Sequence, residues 1–185
     1  MADAGRVIAG TAKGIRLRAP GPGTRPLADR VKQTLFAILE PELEGAVVLD
    51  LFAGSGAGGI EALSRGAERA VFVEKDSGAV GVLRANLEAT GLASRAEVVR
   101  TDVERWLGEG TGPFDLVLVD PPYAETALLA RVLERLGDRD ALLSEDARVV
   151  AKHFWRDRPP ERIGALGAER ERRFGETALS FYRRA

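Results

Sequence analysis

The sequence predicts an α/β domain built on a mostly parallel sheet, and three observations carry that expectation. From Val47 onward, short β-rich runs alternate with amphipathic helical segments. The runs are apolar almost throughout, as strands covered on both faces must be. Only the last connection is too short for a parallel crossover, so the sheet should end in an antiparallel hairpin.

Taken in order, Val47 to Phe52 is expected as the first buried strand, and Gly58 to Arg65 as a helix closed by Gly66. Ala70 to Glu74 follows as a strand. The next helix carries Val80, Leu83 and Leu87 on one face and ends before Gly91. Glu97 to Arg100 and Asp115 to Asp120 are the third and fourth strands, with a short helix over Val103 to Leu107 between them. Glu125 to Leu136 is helical, with Leu128, Leu129, Val132, Leu133 and Leu136 at helical spacing, and Arg148 to Lys152 is the fifth strand. Arg170 to Phe174 and Ala178 to Tyr182 complete seven strands as a hairpin. Ahead of this pattern, residues 6–18 alternate around Lys13-Gly14 and predict a small hairpin. The stretch Ala19 to Gly23 reads as a loop. Asp29 stands where it can cap a helix bearing Val31, Leu35, Ile38 and Leu39.

Composition narrows the chemistry. The 185 residues are 45% hydrophobic and 30% charged, within the range of globular domains. There is no cysteine, which excludes disulfides, thiolate metal sites and cysteine nucleophiles. The one histidine, His153, follows an apolar strand and is expected near its end rather than as a base. No apolar run approaches membrane-spanning length and the first residues lack a signal peptide's apolar core, so a cytoplasmic chain without metal is expected. Net charge is -1, yet residues 1–32 carry a local charge of +5. Lys13, Arg16, Arg18, Arg25 and Arg30 are therefore candidate phosphate contacts on a basic arm over residues 1–24 and the segment just after it, with the remaining domain over 25–185. A solvated surface hairpin is the competing reading.

Two motifs carry chemistry. Gly54, Gly56 and Gly59 form a G-x-G-x-x-G loop after a strand and before a helix, a spacing that serves dinucleotides as well as other nucleosides. Asp50 lies four residues before Gly54, where a negative charge would repel a pyrophosphate but attract the cationic end of S-adenosylmethionine. Glu74 closes the second strand, where an acid accepts hydrogen bonds from ribose hydroxyls. Asp102 is placed either to accept from an adenine amino group or to cap the helix after it. The second motif, Asp120-Pro121-Pro122-Tyr123, ends the fourth strand at the carboxyl edge of the sheet. An exocyclic base amine is a poor nucleophile because its lone pair is delocalised. Asp120 and the carbonyl of Pro121 can each accept one of its N–H groups and aim the lone pair at a methyl donor, while Tyr123 offers a stacking face.

These motifs resemble the 16S ribosomal RNA guanine-N2 methyltransferases of the RsmD type. The resemblance runs from Arg6 to Tyr182, through Arg25-Pro26 to Val31, Asp50 to Gly56, Glu61 to Ala67, Val119 to Tyr123, and Phe174 to Ala178; Leu27 and Ala28 depart from the family's pattern. It implies a Rossmann-like methyltransferase fold, S-adenosylmethionine as cofactor held by Asp50, Phe52, Gly54, Ser55, Gly56, Glu74 and Asp102, and catalysis by Asp120, Pro121, Pro122 and Tyr123. It also implies action on 16S rRNA in an assembled or assembling 30S subunit; a monomer is expected. Asp-Pro-Pro-Tyr also serves DNA adenine-N6 enzymes, and a non-catalytic nucleotide-binding module or NAD-dependent oxidoreductase shares the glycine loop.

Overall fold

The computed structural model describes residues 3–21, 28–122 and 125–184. The chain forms two compact units, Met1–Asp102 and Val103–Ala185. The expected boundary between residues 24 and 25 lies outside the described residues.

The first unit begins with a hairpin, β1 (Asp3–Arg6) antiparallel to β2 (Arg16–Arg18), whose first strand starts ahead of the expected span 6–18. Helix α1 (Asp29–Leu39) buries Val31, Leu35, Phe36 and Leu39 on one face. Asp29 does not cap it: Ala28 occupies the cap position with no side-chain bond, and Asp29 is the first helical residue. Its carboxylate turns instead to the hairpin, accepting from the Arg6 N–H at 3.4 Å and pairing with the Arg6 guanidinium at 3.6 Å.

Strand β3 (Val47–Leu51), helix α2 (Ala57–Ser64), strand β4 (Arg69–Glu74), helix α3 (Ser77–Thr90) and strand β5 (Ala96–Arg100) follow in the expected order. β4 lies between β3 and β5 and is parallel to both, and Ala70, Val71, Phe72 and Val73 are all buried. Burial on both faces is why this strand reads as an unbroken apolar run. Asp76 caps α3 by accepting from the Ala79 N–H at 2.7 Å, and Gly91 closes it.

The second unit starts with helix α4 (Val103–Glu109), strand β6 (Phe114–Val119) and helix α5 (Thr126–Asp138). α5 buries the five apolar residues expected from its periodicity, while Arg131 on its outer face makes a two-pronged bond to Glu104 of α4 at 2.9 and 3.1 Å. Strand β7 (Leu143–Phe154) is parallel to β6 and antiparallel to β10 (Thr177–Arg184), which pairs in turn with β9 (Leu166–Phe174).

Two features depart from expectation. β7 is 12 residues long rather than the five of Arg148 to Lys152, and a two-residue strand, β8 (Arg162–Ile163), pairs with β9, so the described strands outside the N-terminal hairpin number eight rather than seven. Tyr182 of β10 is buried and donates to the Pro160 carbonyl at 2.9 Å; burial pushes its phenol up to about 12, so it stays a donor at any working pH. No helix among the described residues is long and apolar enough to cross a membrane.

Candidate functional site

In the first unit the glycine loop runs from the end of β3 into α2. Phe52, directly after β3, has φ of 62°, a left-handed backbone that costs a residue with a β-carbon roughly 1–2 kcal/mol. Strain of this kind persists only where surrounding bonds over-determine it. Here the Ala53 N–H donates to the Val73 carbonyl at 3.1 Å, and the Gly54 N–H donates to Glu74 Oε2 at 2.9 Å. Glu74 thus closes β4 and grips the loop at once, its second oxygen accepting from the Asp76 N–H at 2.9 Å.

The glycines have separable reasons. Gly56 is the N-cap of α2 with φ of 79°, and a β-carbon there would lie 2.1 Å from Leu83 Cδ1. At Gly59 it would lie 2.3 Å from the Phe72 ring, so this glycine lets α2 approach β4. Asp50 is buried, and its Oδ2 accepts from the Gly59 N–H at 2.8 Å. Ser55 is buried, with its carbonyl taken by Asn86. Asp102 is exposed and stands immediately before α4.

The basic hairpin is docked rather than free. Glu61 of α2 accepts from the N–H groups of Ile8 at 2.9 Å and Ala9 at 3.1 Å, and the Ser64 hydroxyl bonds both Ala9 and Ala12. Asn86 of α3 makes a reciprocal pair with the Arg18 backbone, both bonds 2.9 Å, while donating to the Ser55 carbonyl. One buried amide therefore ties β2 to the glycine loop. Sequence reasoning passed over Asn86; its signal was a polar residue three positions after Leu83, on the apolar face of α3. Lys13, Arg16, Arg18 and Arg30 are exposed; Arg16 pairs with Asp3 at 2.7 Å. Arg25 lies outside the described residues.

In the second unit Asp120 follows β6, with Pro121 buried and Pro122 exposed; Tyr123 lies outside the described residues. Lys152 of β7 meets both carboxylate oxygens of Asp120, at 2.7 and 2.9 Å. Desolvation at the strand end pushes the Asp120 carboxyl above its ordinary range, and the Lys152 ammonium acts in the opposite direction through charge and hydrogen bonding. Lys152 was the second residue missed, because nothing local marks a strand lysine as the partner of an acid 32 positions earlier. A shallow depression is lined by Pro121, Pro122, Glu125, Lys152, His153, Phe154 and Asp157, among others. His153 itself is buried in β7, as expected of a structural histidine, with its ring nitrogens 2.8 Å from the Phe154 carbonyl and from the Ser180 hydroxyl.

A glycine loop between parallel strands, an acid closing the second strand, and Asp-Pro-Pro after β6 define a Rossmann-like chain of the methyltransferase class. The family described as Conserved hypothetical protein 95 matches residues 5–183, and the chain belongs to it. The Bacillus subtilis (strain 168) protein YlbH, which carries an rRNA methyltransferase name, is 41% identical over 184 residues, covering 97% of this chain and 98% of its own. Ribosomal RNA small subunit methyltransferase D of Escherichia coli (strain K12) is 37% identical over 180 residues, 97% of this chain and 89% of its own. Among solved structures, the Escherichia coli protein yhhF, titled as a methyltransferase, superposes with a TM-score of 0.86 at 36% identity, covering 97% of each chain.

Proposed function

We propose that this chain transfers a methyl group from S-adenosylmethionine to the exocyclic N2 amine of a guanine in small-subunit (16S) ribosomal RNA, acting as a monomer on an assembled or assembling 30S subunit. The observation that carries the reading is Asp120-Pro121-Pro122 leaving the end of β6, in a chain 37% identical to a ribosomal RNA small subunit methyltransferase.

The residues of the first unit fit the cofactor. Each Glu74 oxygen accepts one backbone N–H, which leaves lone pairs for two ribose hydroxyls. Phe52, Gly54, Ser55 and Gly56 supply the loop against the nucleoside, Asp50 a negative charge at the end of β3 for its cationic end, and Asp102 an acceptor for the adenine. When bound, S-adenosylmethionine supplies an electrophilic methyl on a sulfonium. Asp120 accepts one N–H of the target amine and the Pro121 carbonyl the other, so the nitrogen lone pair leaves conjugation. Pro122 restricts the backbone behind that carbonyl, and Tyr123 stacks on the base. Lys13, Arg16, Arg18, Arg25 and Arg30 hold phosphates, which positions the RNA without reading its sequence.

Incubation with tritiated S-adenosylmethionine and undermethylated 30S subunits, naked rRNA or DNA tests the reading. Label on N2 of one guanine in 16S rRNA is expected; label on adenine in DNA overturns it. Glu74→Ala is expected to weaken S-adenosylmethionine binding by about 1.5–3 kcal/mol, the range for hydrogen bonds to a charged group. Calorimetry giving wild-type affinity for that variant rules out the ribose role.

The state of Asp120 makes a pH prediction. The carboxylate is the stronger, charge-assisted acceptor of an N–H, so single-turnover rate falls as pH drops through the Asp120 pKa, which burial holds above the ordinary carboxylate range. Lys152→Met removes both influences that lower it. The acid limb of the rate profile should therefore move to higher pH in this variant, and an unmoved limb would show that Lys152 does not govern the charge of Asp120.

A further inference from the structure

Trp155 leaves the carboxyl end of β7 half-exposed, with its backbone N–H donating to the Glu176 carbonyl at 3.0 Å in the β9–β10 turn. The Arg173 guanidinium stands 3.6 Å from the indole centroid, and its Nε donates to the Gly175 carbonyl at 2.9 Å, which fixes the stack. Arg156 lies 4.9 Å from the same ring and Phe154 6.2 Å. Glu169 is occupied by Arg148 and Arg183, and Glu171 by Arg158. Arg156 and Arg173 are exposed and pair with no acid among the described residues, whereas Arg170 and Arg172 project from the opposite face of β9.

We propose that Trp155 and Arg173, with Arg156 beside the same ring, form a platform that binds single-stranded RNA. An aromatic ring with a guanidinium stacked on it offers unpaired bases a face, and exposed guanidiniums take the phosphates on either side. Structured duplex would gain the charge but not the stacking. The platform also has a reason to be where it is. β6 and β7 are parallel, with Val119 opposite Ala151, so Asp120 and Trp155 emerge at the same edge of this unit, and Phe154 lines the depression that holds Pro121 and Pro122. An RNA strand whose base is offered to Asp120 runs over Trp155. The placement relative to the reaction rests on the proposed methyl transfer, whereas the binding itself does not.

The test uses the full chain in a Trp106→Phe background. The chain has two tryptophans and Trp106 is buried, so the remaining indole reports on the platform alone. Titration with a short unstructured RNA oligonucleotide should quench Trp155, and anisotropy with labelled oligonucleotide should read a Kd about tenfold or more weaker in Trp155→Ala, the scale of a lost stacked base. Arg156→Gln, which leaves the Arg173 stack on the indole in place, keeps the test open if the alanine variant folds poorly; it should weaken binding and flatten the salt dependence. RNA affinity unchanged in both variants, with no quenching, overturns the proposal, as a surface that seats only a protein would predict. Quenching by RNA in a preparation that methylates no RNA would leave the platform standing while the methyltransferase reading fails. Methylation with wild-type KM in Trp155→Ala would do the reverse.

Discussion

Asp120→Asn is expected to lower the single-turnover rate of methyl transfer by about 10²–10³-fold, the scale of removing one positioned hydrogen-bond partner at a reacting centre, while calorimetric affinity for S-adenosylmethionine stays at the wild-type value. The two quantities separate because Asp120 belongs to the second unit, whereas the residues proposed to hold the cofactor belong to the first. Asparagine is the informative replacement. Alanine would leave the Lys152 ammonium, whose side chain is 10% exposed, without the carboxylate that it meets at 2.7 Å, and lost stability would then be mixed with lost chemistry. With asparagine the shape is kept and one oxygen still faces Lys152, but the negative charge that draws the amine is gone. An Asp120→Asn protein that transfers methyl at the wild-type rate would remove Asp120 from the chemistry. A variant that loses cofactor affinity as much as rate would move its role from the amine to the donor.

Local pattern made most of this arrangement legible. The run at Val47, the spacing of Val80, Leu83 and Leu87 with the stop at Gly91, and the spacing of Leu128 to Leu136 each state an element within a few residues, because burial on a fixed period leaves the same mark in every window. What was not legible depends on partners far away in sequence. Leu143 to Ala147 lie outside the strand expected over Arg148 to Lys152, yet they extend β7, where Leu143 pairs with Phe114 and its carbonyl accepts from Arg184 at 2.7 Å. Asp29 has the sequence of a helix cap, but Arg6 of the hairpin competes for its carboxylate and wins. The acids Asp50, Glu74 and Asp120 were found from their positions at strand ends. Their internal partners, Gly59, Gly54 and Lys152, could not be. The same limit hid the anchoring of the basic arm: its charges are visible in composition, whereas the bonds from Glu61, Ser64 and Asn86 that hold its backbone are not.

Glu61→Ala should be the most destabilising change in the first unit. Glu61 is fully buried and accepts three bonds: from Ile8 N–H at 2.9 Å, Ala9 N–H at 3.1 Å and Arg65 Nε at 2.8 Å. Lys32, also fully buried, has its ammonium 3.9 Å from Glu61 and donates to the Arg6 carbonyl. Alanine would leave the Ile8 and Ala9 N–H groups and Arg65 Nε without this acceptor and the buried Lys32 ammonium without its counter-charge, which costs about 3–5 kcal/mol, a large share of the roughly 5–15 kcal/mol that holds a domain folded. Urea unfolding is the direct measurement, with hydrogen exchange at the Ile8 and Ala9 amides to see whether the hairpin detaches first. The charge component has its own signature. Burial holds Lys32 below its ordinary range against the opposing pull of Glu61 and Asp29, so the folded protein binds that proton less tightly than the unfolded chain. Stability contributed by this group therefore rises with pH between the folded and unfolded pKa values. Glu61→Gln removes the stronger of the two acidic pulls and widens that interval, so its deficit should shrink on raising the pH toward the ordinary lysine range, and Lys32→Met added to Glu61→Gln should recover part of the loss. A Glu61→Ala protein within about 0.5 kcal/mol of wild type, the scatter of neutral surface changes, would mean that the bonds from Ser64, Asn86, Asp29 and Lys32 hold the hairpin without it.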